Sequence, residues 1–247
     1  MSDNHDAVNA DDSLSDFACF QPEFVGRKSP VYTKGVRPAV IVLHEIPGIS
    51  PQAAWFARWV SETGFTVYMP SLFSRIGGVP AVAEGKEVFQ RVCISREFSV
   101  LAGQGTSPVV DWLRTLAQLA AKESGFADVG VVGMCLTGNF ALSMMIEPAV
   151  KAPVMCQPSL PLDAPDQIEL SDVDVQKVAQ RFRDEDLSVR AFRFEGDHFC
   201  PAARFAKYRK MFGKHFVEAS IPDSAADLPL FSQAHSHASQ CDYAASV

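Results

Sequence analysis

A cysteine bracketed by glycines, Gly133-Met134-Cys135-Leu136-Thr137-Gly138, follows an apolar run that ends at Val132. The spacing approximates G-x-S-x-G, the elbow that holds a nucleophile in a tight strand-to-helix turn, with cysteine in place of serine. Glycines are needed there because Cβ atoms at those positions would clash with the neighbouring strand and helix. The positive end of a helix dipole favours a thiolate, so Cys135 is a candidate anion near neutral pH once a base or cation lies nearby. Such a nucleophile also needs a base and a group that orients the base. Glu195-Gly196-Asp197-His198 follows another apolar run ending at Phe194, and a polar loop further on carries Ala234-His235-Ser236-His237. The order nucleophile, acid, histidine is that of the elbow fold. Cys135, Asp197 and His235 are therefore a candidate triad: the thiolate attacks, His235 shuttles the proton, and Asp197 fixes the imidazole tautomer and balances its charge. His237 is the rival base, two residues along. Each residue alone has a plainer reading as a buried thiol, a turn-capping aspartate or a solvated histidine; the ordered trio carries the inference.

A fourth segment, His44-Glu45-Ile46-Pro47-Gly48, follows the first buried run, where elbow-type folds place one oxyanion-hole amide. That assigns the Ile46 N–H as one donor and the Leu136 N–H, next to the nucleophile, as the other. Glu45 is either an ion-paired structural carboxylate or a group that governs the protonation of Cys135.

The elements that must position these residues alternate. Ala39 to His44 reads as a buried strand, and Pro51 to Gly64 as a helix capped by Ser50 and stopped by Gly64. Phe65 to Pro70 is a strand, and residues 71 to about 95 form a long loop with a helical portion. The pattern continues with a helix from Ser107 to about Ser124, a strand Asp128 to Met134, a helix Leu136 to Ile146, and a strand Ala152 to Gln157. After it come a helix capped by Ser171 or Asp172, a strand Ser188 to Gly196, a helix Pro201 to Met211, a strand Lys214 to Pro222, and a short tail helix from about Ala238 to Val247. Strand and helix in such alternation imply an open α/β architecture, a largely parallel sheet covered on both faces, with reactive groups at the carboxyl ends of the strands. Residues 1 to 30 hold few large apolar side chains and read as a mobile or loosely docked N-terminal arm, with one domain over 31 to 247.

Composition bounds the partners. The 247 residues, 47% apolar and 21% charged, can bury one core and fit neither a disordered nor a membrane protein. A net charge of −7 gains nothing from phosphate backbones or anionic lipid. The opening residues are acidic and polar, without a basic leader or an apolar core, so the expected compartment is the cytoplasm. The six cysteines lie far apart with no C-x-x-C pair, which suits reduced thiols rather than a zinc knuckle or disulfide scaffold.

With these segments in place, the chain resembles the dienelactone hydrolase family of α/β-hydrolases over most of residues 36 to 240. The pieces that carry the resemblance are HEIPG (44–48), PSLF (70–73), GMCLTG (133–138), GDHFCP (196–201) and AHS (234–236). It implies a single-domain α/β-hydrolase fold, a triad at Cys135, Asp197 and His235, oxyanion amides at Ile46 and Leu136, and Glu45 taking part in thiol activation. It implies no metal and no organic cofactor. The chain departs from the family in two places. Thr137 stands where glycine is usual, and His235 is followed by Ser236-His237-Ala238-Ser239 rather than Ser-Phe-Ala-Arg, so the arginine that would bind a substrate carboxylate is missing. Arg96, with Arg91 and Arg75 beside it as options, is the candidate to bind an acid group instead. The expected function is a cytosolic hydrolase of small carboxylic esters or lactones that works through a thioester, with no nucleic-acid or membrane partner; the oligomeric state is left open. The alternatives are a non-catalytic binding or thiol redox-sensing protein on the same fold, and transfer of the acyl group to an acceptor other than water.

Overall fold

The computed structural model describes residues 10–73, 75–94, 107–161, 164 and 167–225. Its centre is a sheet of eight strands: β1 (Ala18–Phe20), β2 (Val31–Lys34), β3 (Ala39–Leu43), β4 (Thr66–Pro70), β5 (Val129–Met134), β6 (Val150–Cys156), β7 (Val189–Phe194) and β8 (Phe216–Ile221). Their spatial order is β1-β2-β4-β3-β5-β6-β7-β8. Strand β2 runs antiparallel to both its neighbours, and the remaining pairs are parallel. Between and after the strands lie α1 (Pro51–Glu62), α2 (Val82–Ile94), α3 (Pro108–Ser124), α4 (Gly138–Ser143), α5 (Asp172–Asp184) and α6 (Ala202–Phe212).

The inner strands β3 and β4 are buried because they are apolar on both faces. Every residue of β3 is buried, and its side chains alternate: Ile41 and Leu43 enter one apolar cluster, Val40 and Val42 the other. Strand β4 divides likewise, with Tyr68 on the first side and Val67 and Met69 on the second. That alternation demands a cover for each face. Helix α1 brings Ala54, Ala57 and Val60 to the second cluster, while α3 brings Val109, Leu113, Leu116 and Ala120 to the first. The helices start where the sequence supplies caps. Ser50 Oγ accepts the Ala53 N–H at 3.1 Å, and Ser171 Oγ accepts the Asp174 N–H at 3.1 Å. Gly125, at φ +74°, closes α3 in the left-handed conformation that glycine adopts without strain.

Two expectations are revised. The segment read as one helix from Leu136 to Ile146 is a 3₁₀ turn (Cys135–Thr137), the six-residue α4, and a second 3₁₀ turn (Met144–Ile146). The stretch read as a loose N-terminal arm is, from residue 10 onward, laid against the sheet. Leu14 and Phe17 are buried in the α1-side cluster, and β1 pairs with β2. Arg58 of α1 holds Asp12 at 2.6 and 2.9 Å and Asp16 at 2.7 and 2.9 Å. The Asp12 N–H donates to the Gly77 carbonyl at 2.6 Å, and Asp11 Oδ1 accepts the Val79 N–H at 2.9 Å. Aspartates that look solvated in sequence are here held in a fork of guanidinium donors. The tail expected to form a last helix lies outside the described residues.

Candidate active site

Register brings the chemically interesting strand ends to one place. Leu43 of β3 and Met155 of β6 flank Gly133 of β5 on either side, Cys156 pairs with Phe192 of β7, and Phe194 pairs with Ile221 of β8. The segments leaving these strands therefore emerge side by side at the carboxyl edge, where open α/β sheets carry their ligands.

Cys135 sits at the elbow with φ +56°, a conformation that costs a non-glycine residue free energy and persists only where its surroundings enforce it. The surroundings do so through the glycines. A Cβ on Gly133 would run into the Thr137 carbonyl, and one on Gly138 would come within 2.9 Å of the Cys156 carbonyl and 3.1 Å of Pro158 Cα. Thr137, the departure from the family pattern, is fully buried and braces the turn. Its Oγ1 accepts the Met134 N–H at 3.0 Å and lies 3.1 Å from the Leu43 carbonyl, 3.1 Å from that of His44 and 2.9 Å from that of Met134. The hydroxyl thus ties the elbow to the turn that carries Glu45 and Ile46.

The electrostatics around the sulfur are those of a neutral thiol. Burial and the neighbouring Glu45 carboxylate push Cys135 up to about 12, with a smaller push from Asp197. Two donors act the other way: the Ser159 hydroxyl, whose Oγ is 3.6 Å from Sγ, and the Leu136 N–H. Among the described residues, burial and anionic neighbours favour the neutral thiol at the N-terminus of the short α4; the base expected to draw its proton, His235, lies outside them. Glu45 is itself raised by burial, from 4.5 to about 7, so its proton is exchangeable around neutrality. His44, wholly buried, is pushed down to about 4. Its Nε2 accepts the Leu72 N–H at 3.0 Å, which leaves Nδ1 as the protonated nitrogen, donating to the Glu45 carbonyl at 2.8 Å. A neutral imidazole thereby locks the Glu45-Ile46 backbone to the segment after β4.

Asp197 stands in the turn after β7. Its Oδ1 accepts the Phe199 N–H at 2.8 Å and the Cys200 N–H at 3.0 Å, which leaves Oδ2 open among the described residues. The exit of β8 is stitched to this turn, since Glu195 N–H donates to the Ile221 carbonyl at 3.0 Å and Gly196 N–H to Asp223 Oδ1 at 3.0 Å. His235, His237 and Arg96 lie outside the described residues. Arg75 is engaged elsewhere, pairing with Glu84 at 2.8 Å and donating to the Val79 carbonyl at 3.2 Å, which removes it as a free carboxylate binder. The structure therefore brings together Glu45, Ile46, Cys135, Leu136 and Asp197.

Residues not singled out in the sequence complete the setting. Ser159 lies after the end of β6, and the rule that reactive groups follow strand ends would have found it. Its N–H donates to the Cys135 carbonyl at 3.3 Å. Asn139 of α4 brackets the next residue, accepting the Leu160 N–H at 3.0 Å and donating to its carbonyl at 2.9 Å. Arg204, fully buried at the start of α6, donates to the carbonyls of Pro158 at 2.7 Å, Pro161 at 2.6 Å, Phe199 at 2.9 Å and Gln167 at 3.2 Å. It fastens the Ser159 segment to the Asp197 turn. Among the described residues, no group of three His, Cys, Asp or Glu side chains is arranged to hold a metal ion, and no helix is long and apolar enough to cross a membrane.

Comparison with known proteins agrees with this fold. The dienelactone hydrolase family profile matches residues 28–222. A stretch of 64 residues is 36% identical to a protein of Escherichia coli (strain K12) assigned as the hydrolase fragment YghX; the stretch is 26% of this chain and spans 55% of that relative's length. Among solved structures, a protein assigned as a dienelactone hydrolase from Klebsiella pneumoniae subsp. pneumoniae MGH 78578 superposes with a TM-score of 0.60 at 20% identity, covering 84% of this chain and 86% of that one. The dienelactone hydrolase-like promiscuous phosphotriesterase P91 from metagenomic libraries gives 0.57 at 14% identity over 85% and 83% of the two chains. XC6422 from Xanthomonas campestris, described as an α/β serine hydrolase without a lid, gives 0.53 at 12% identity over 85% of each. At these identities the superpositions establish the fold: a single-domain α/β hydrolase.

Proposed function

The chain belongs to the dienelactone hydrolase family, and from that premise we propose that it opens small carboxylic esters or lactones through a thioester on Cys135. The observation that carries the reading is the strained elbow, which presents a thiol at the carboxyl edge of the sheet between Glu45 and the Asp197 turn. A cysteine at φ +56° clamped by two glycines serves no packing purpose that an ordinary turn would not serve better.

In the proposed reaction His235 takes the thiol proton and the sulfur adds to the substrate carbonyl carbon. The carbonyl oxygen becomes an oxyanion held by the Ile46 and Leu136 N–H groups, each such donor being worth roughly 3 kcal/mol. The C–O bond to the leaving oxygen then breaks, with the proton returned from His235 to that oxygen. Water, deprotonated by His235, attacks the thioester, and the carboxylic acid leaves as Cys135 regains its proton. Asp197 Oδ2 is the acceptor proposed for the imidazole. His235 lies ten positions after Ala225 (235 − 225), a reach of up to about 33 Å, so the chain leaving β8 is long enough to bring it to Asp197. Glu45 tunes the first step: protonated, it no longer opposes a charge on the sulfur.

Of the three arginines considered for a substrate carboxylate, Arg75 is paired with Glu84, which leaves Arg96 and Arg91 as the candidates. The upward push on Cys135 weighs against the thiol-sensor reading, since oxidation selects low-pKa thiols. A cytoplasmic location belongs to the same proposal; Cys19, Cys135, Cys156 and Cys200 are free, as suits a reducing compartment. The test is Cys135→Ala, which should abolish turnover of p-nitrophenyl esters and of lactones and remove the acyl adduct seen by mass spectrometry, with the folded state intact. Undiminished turnover by the variant refutes the thioester mechanism.

A further inference from the structure

We propose that Ser159 is a further catalytic residue, whose hydroxyl stays bonded to the Cys135 sulfur through the reaction, accepting from S–H at rest and donating O–H to the sulfur once the proton has left. The proposal rests on Cys135 being the nucleophile and adds a second side chain to the chemistry.

The hydroxyl is placed for this. Its Oγ lies 3.6 Å from Sγ, within sulfur hydrogen-bonding distance, and Ser159 is 3% exposed, so water does not compete for it. A serine hydroxyl offers one donor and two acceptor lone pairs and rotates freely, so the same oxygen serves the thiol and the thiolate. Its carrier segment is fixed on every side. The Ser159 N–H is bonded to the Cys135 carbonyl, Asn139 brackets Leu160, and Arg204 holds Pro158 and Pro161. Anchors on every residue from Pro158 to Pro161 are more than a surface-crossing loop needs, and they preorganise the hydroxyl before charge develops.

Need follows from the surroundings. Among the described residues, the titratable groups facing the sulfur are Glu45 from the turn after β3, and Asp197 and Cys200 from the turn after β7, none of them a cation. In a water-poor site, a thiolate among such neighbours needs donors besides the imidazolium proposed at His235, and a hydrogen bond to an ion there is worth more than one between neutral groups. Besides the backbone N–H of Leu136, the donor among the described residues that acts on this sulfur is Ser159. Its role separates cleanly from that of Thr137, which touches backbone rather than the reacting atom.

The experiment compares wild type with Ser159→Ala and Ser159→Thr. The rate of Cys135 carboxamidomethylation by iodoacetamide is followed by peptide mass spectrometry between pH 7 and 9.5. Below the thiol's midpoint this rate tracks the thiolate fraction, so losing a donor to the ion should slow it about tenfold at every pH in Ser159→Ala. The p-nitrophenyl ester acylation burst should slow in parallel, and Ser159→Thr, which keeps the hydroxyl, should stay near the wild-type alkylation rate. Thermal melts of both variants check that the anchored segment is undisturbed. Alkylation of Ser159→Ala within twofold of wild type overturns the proposal, as does an equal slowing in Ser159→Thr. Because alkylation needs no substrate, it decides the Ser159 role even if wild type proves unable to turn over esters, a result that would defeat the hydrolase mechanism alone.

Discussion

Replacing Glu45 by glutamine should remove one large contribution to the pH dependence of stability across the mildly acidic range while raising the reactivity of a thiol it does not bond. In the unfolded chain Glu45 ionises near 4.5, whereas in the folded protein burial holds its proton until about 7. Between those values the unfolded state has shed a proton that the folded state keeps. Wild-type stability contributed by Glu45 is therefore greatest below 4.5, declines as pH rises toward 7, and is level above. Two and a half pH units correspond to about 3 kcal/mol. Glutamine does not titrate, so the variant should gain about 3 kcal/mol on wild type between pH 4 and pH 8, read from urea unfolding at intervals across the range. His44 also contributes a slope, since its folded value of about 4 makes the protein lose stability as pH falls from 6.5, but that slope is common to both proteins and cancels in their difference. Cys135, at about 12, does not titrate in this window. Removing the carboxylate should also speed alkylation of Cys135 above pH 7, because its charge opposes the thiolate. Parallel stability curves for the two proteins, offset by a constant within about 1 kcal/mol, would show that the carboxyl is solvated and that the reasoning fails.

Other outcomes follow from the framework. Thr137→Val keeps the shape but leaves the Met134 N–H and the facing carbonyls without their hydroxyl, which should cost about 1–3 kcal/mol in urea unfolding and lower kcat on an ester more than it changes KM; Thr137→Ser should restore both. Arg58→Ala should free the docked N-terminal stretch, seen as faster hydrogen exchange in residues 10–20 with the strands of the sheet still protected. In wild type, Arg58 holds Asp12 and Asp16 below the usual 3.8, so the same protection should persist at neutral pH and be lost as pH falls below 3.8 through their lowered values.

The scaffold was legible because its signals are local. Short apolar runs need no distant information: Ala39 to Leu43 and Val129 to Met134 are strands by composition and length, and Ser50 and Ser171 announce their helices. The ends of those strands then name Glu45, Cys135 and Asp197. What is not legible is contributed across long separations. Nothing beside Cys135 in the chain says that burial, and after it the charge of Glu45 ninety residues earlier (135 − 45), pushes the thiol up against the pull of a helix dipole. Thr137 reads as a departure from a glycine pattern, yet its side chain replaces conformational freedom with a brace to β3. The docking of Leu14 and Phe17 is hidden because two isolated apolar residues among aspartates look like a solvated tail until Arg58 is opposite them. His235 lies outside the described residues, so its place in the proposed triad rests on chain order.

Arg204 carries a practical consequence for anyone reshaping substrate preference. One guanidinium satisfies oxygens drawn from the stretch around Pro158 and Pro161 and from Phe199, so these two pieces of rim share a single rivet. Swapping either piece for that of a relative would strand carbonyls in a dry interior, and lysine, with its point charge and three donors, cannot reproduce the fork. A transplant meant to widen the mouth must move residues 157–161, 197–201 and the opening turn of α6 together, as one cassette.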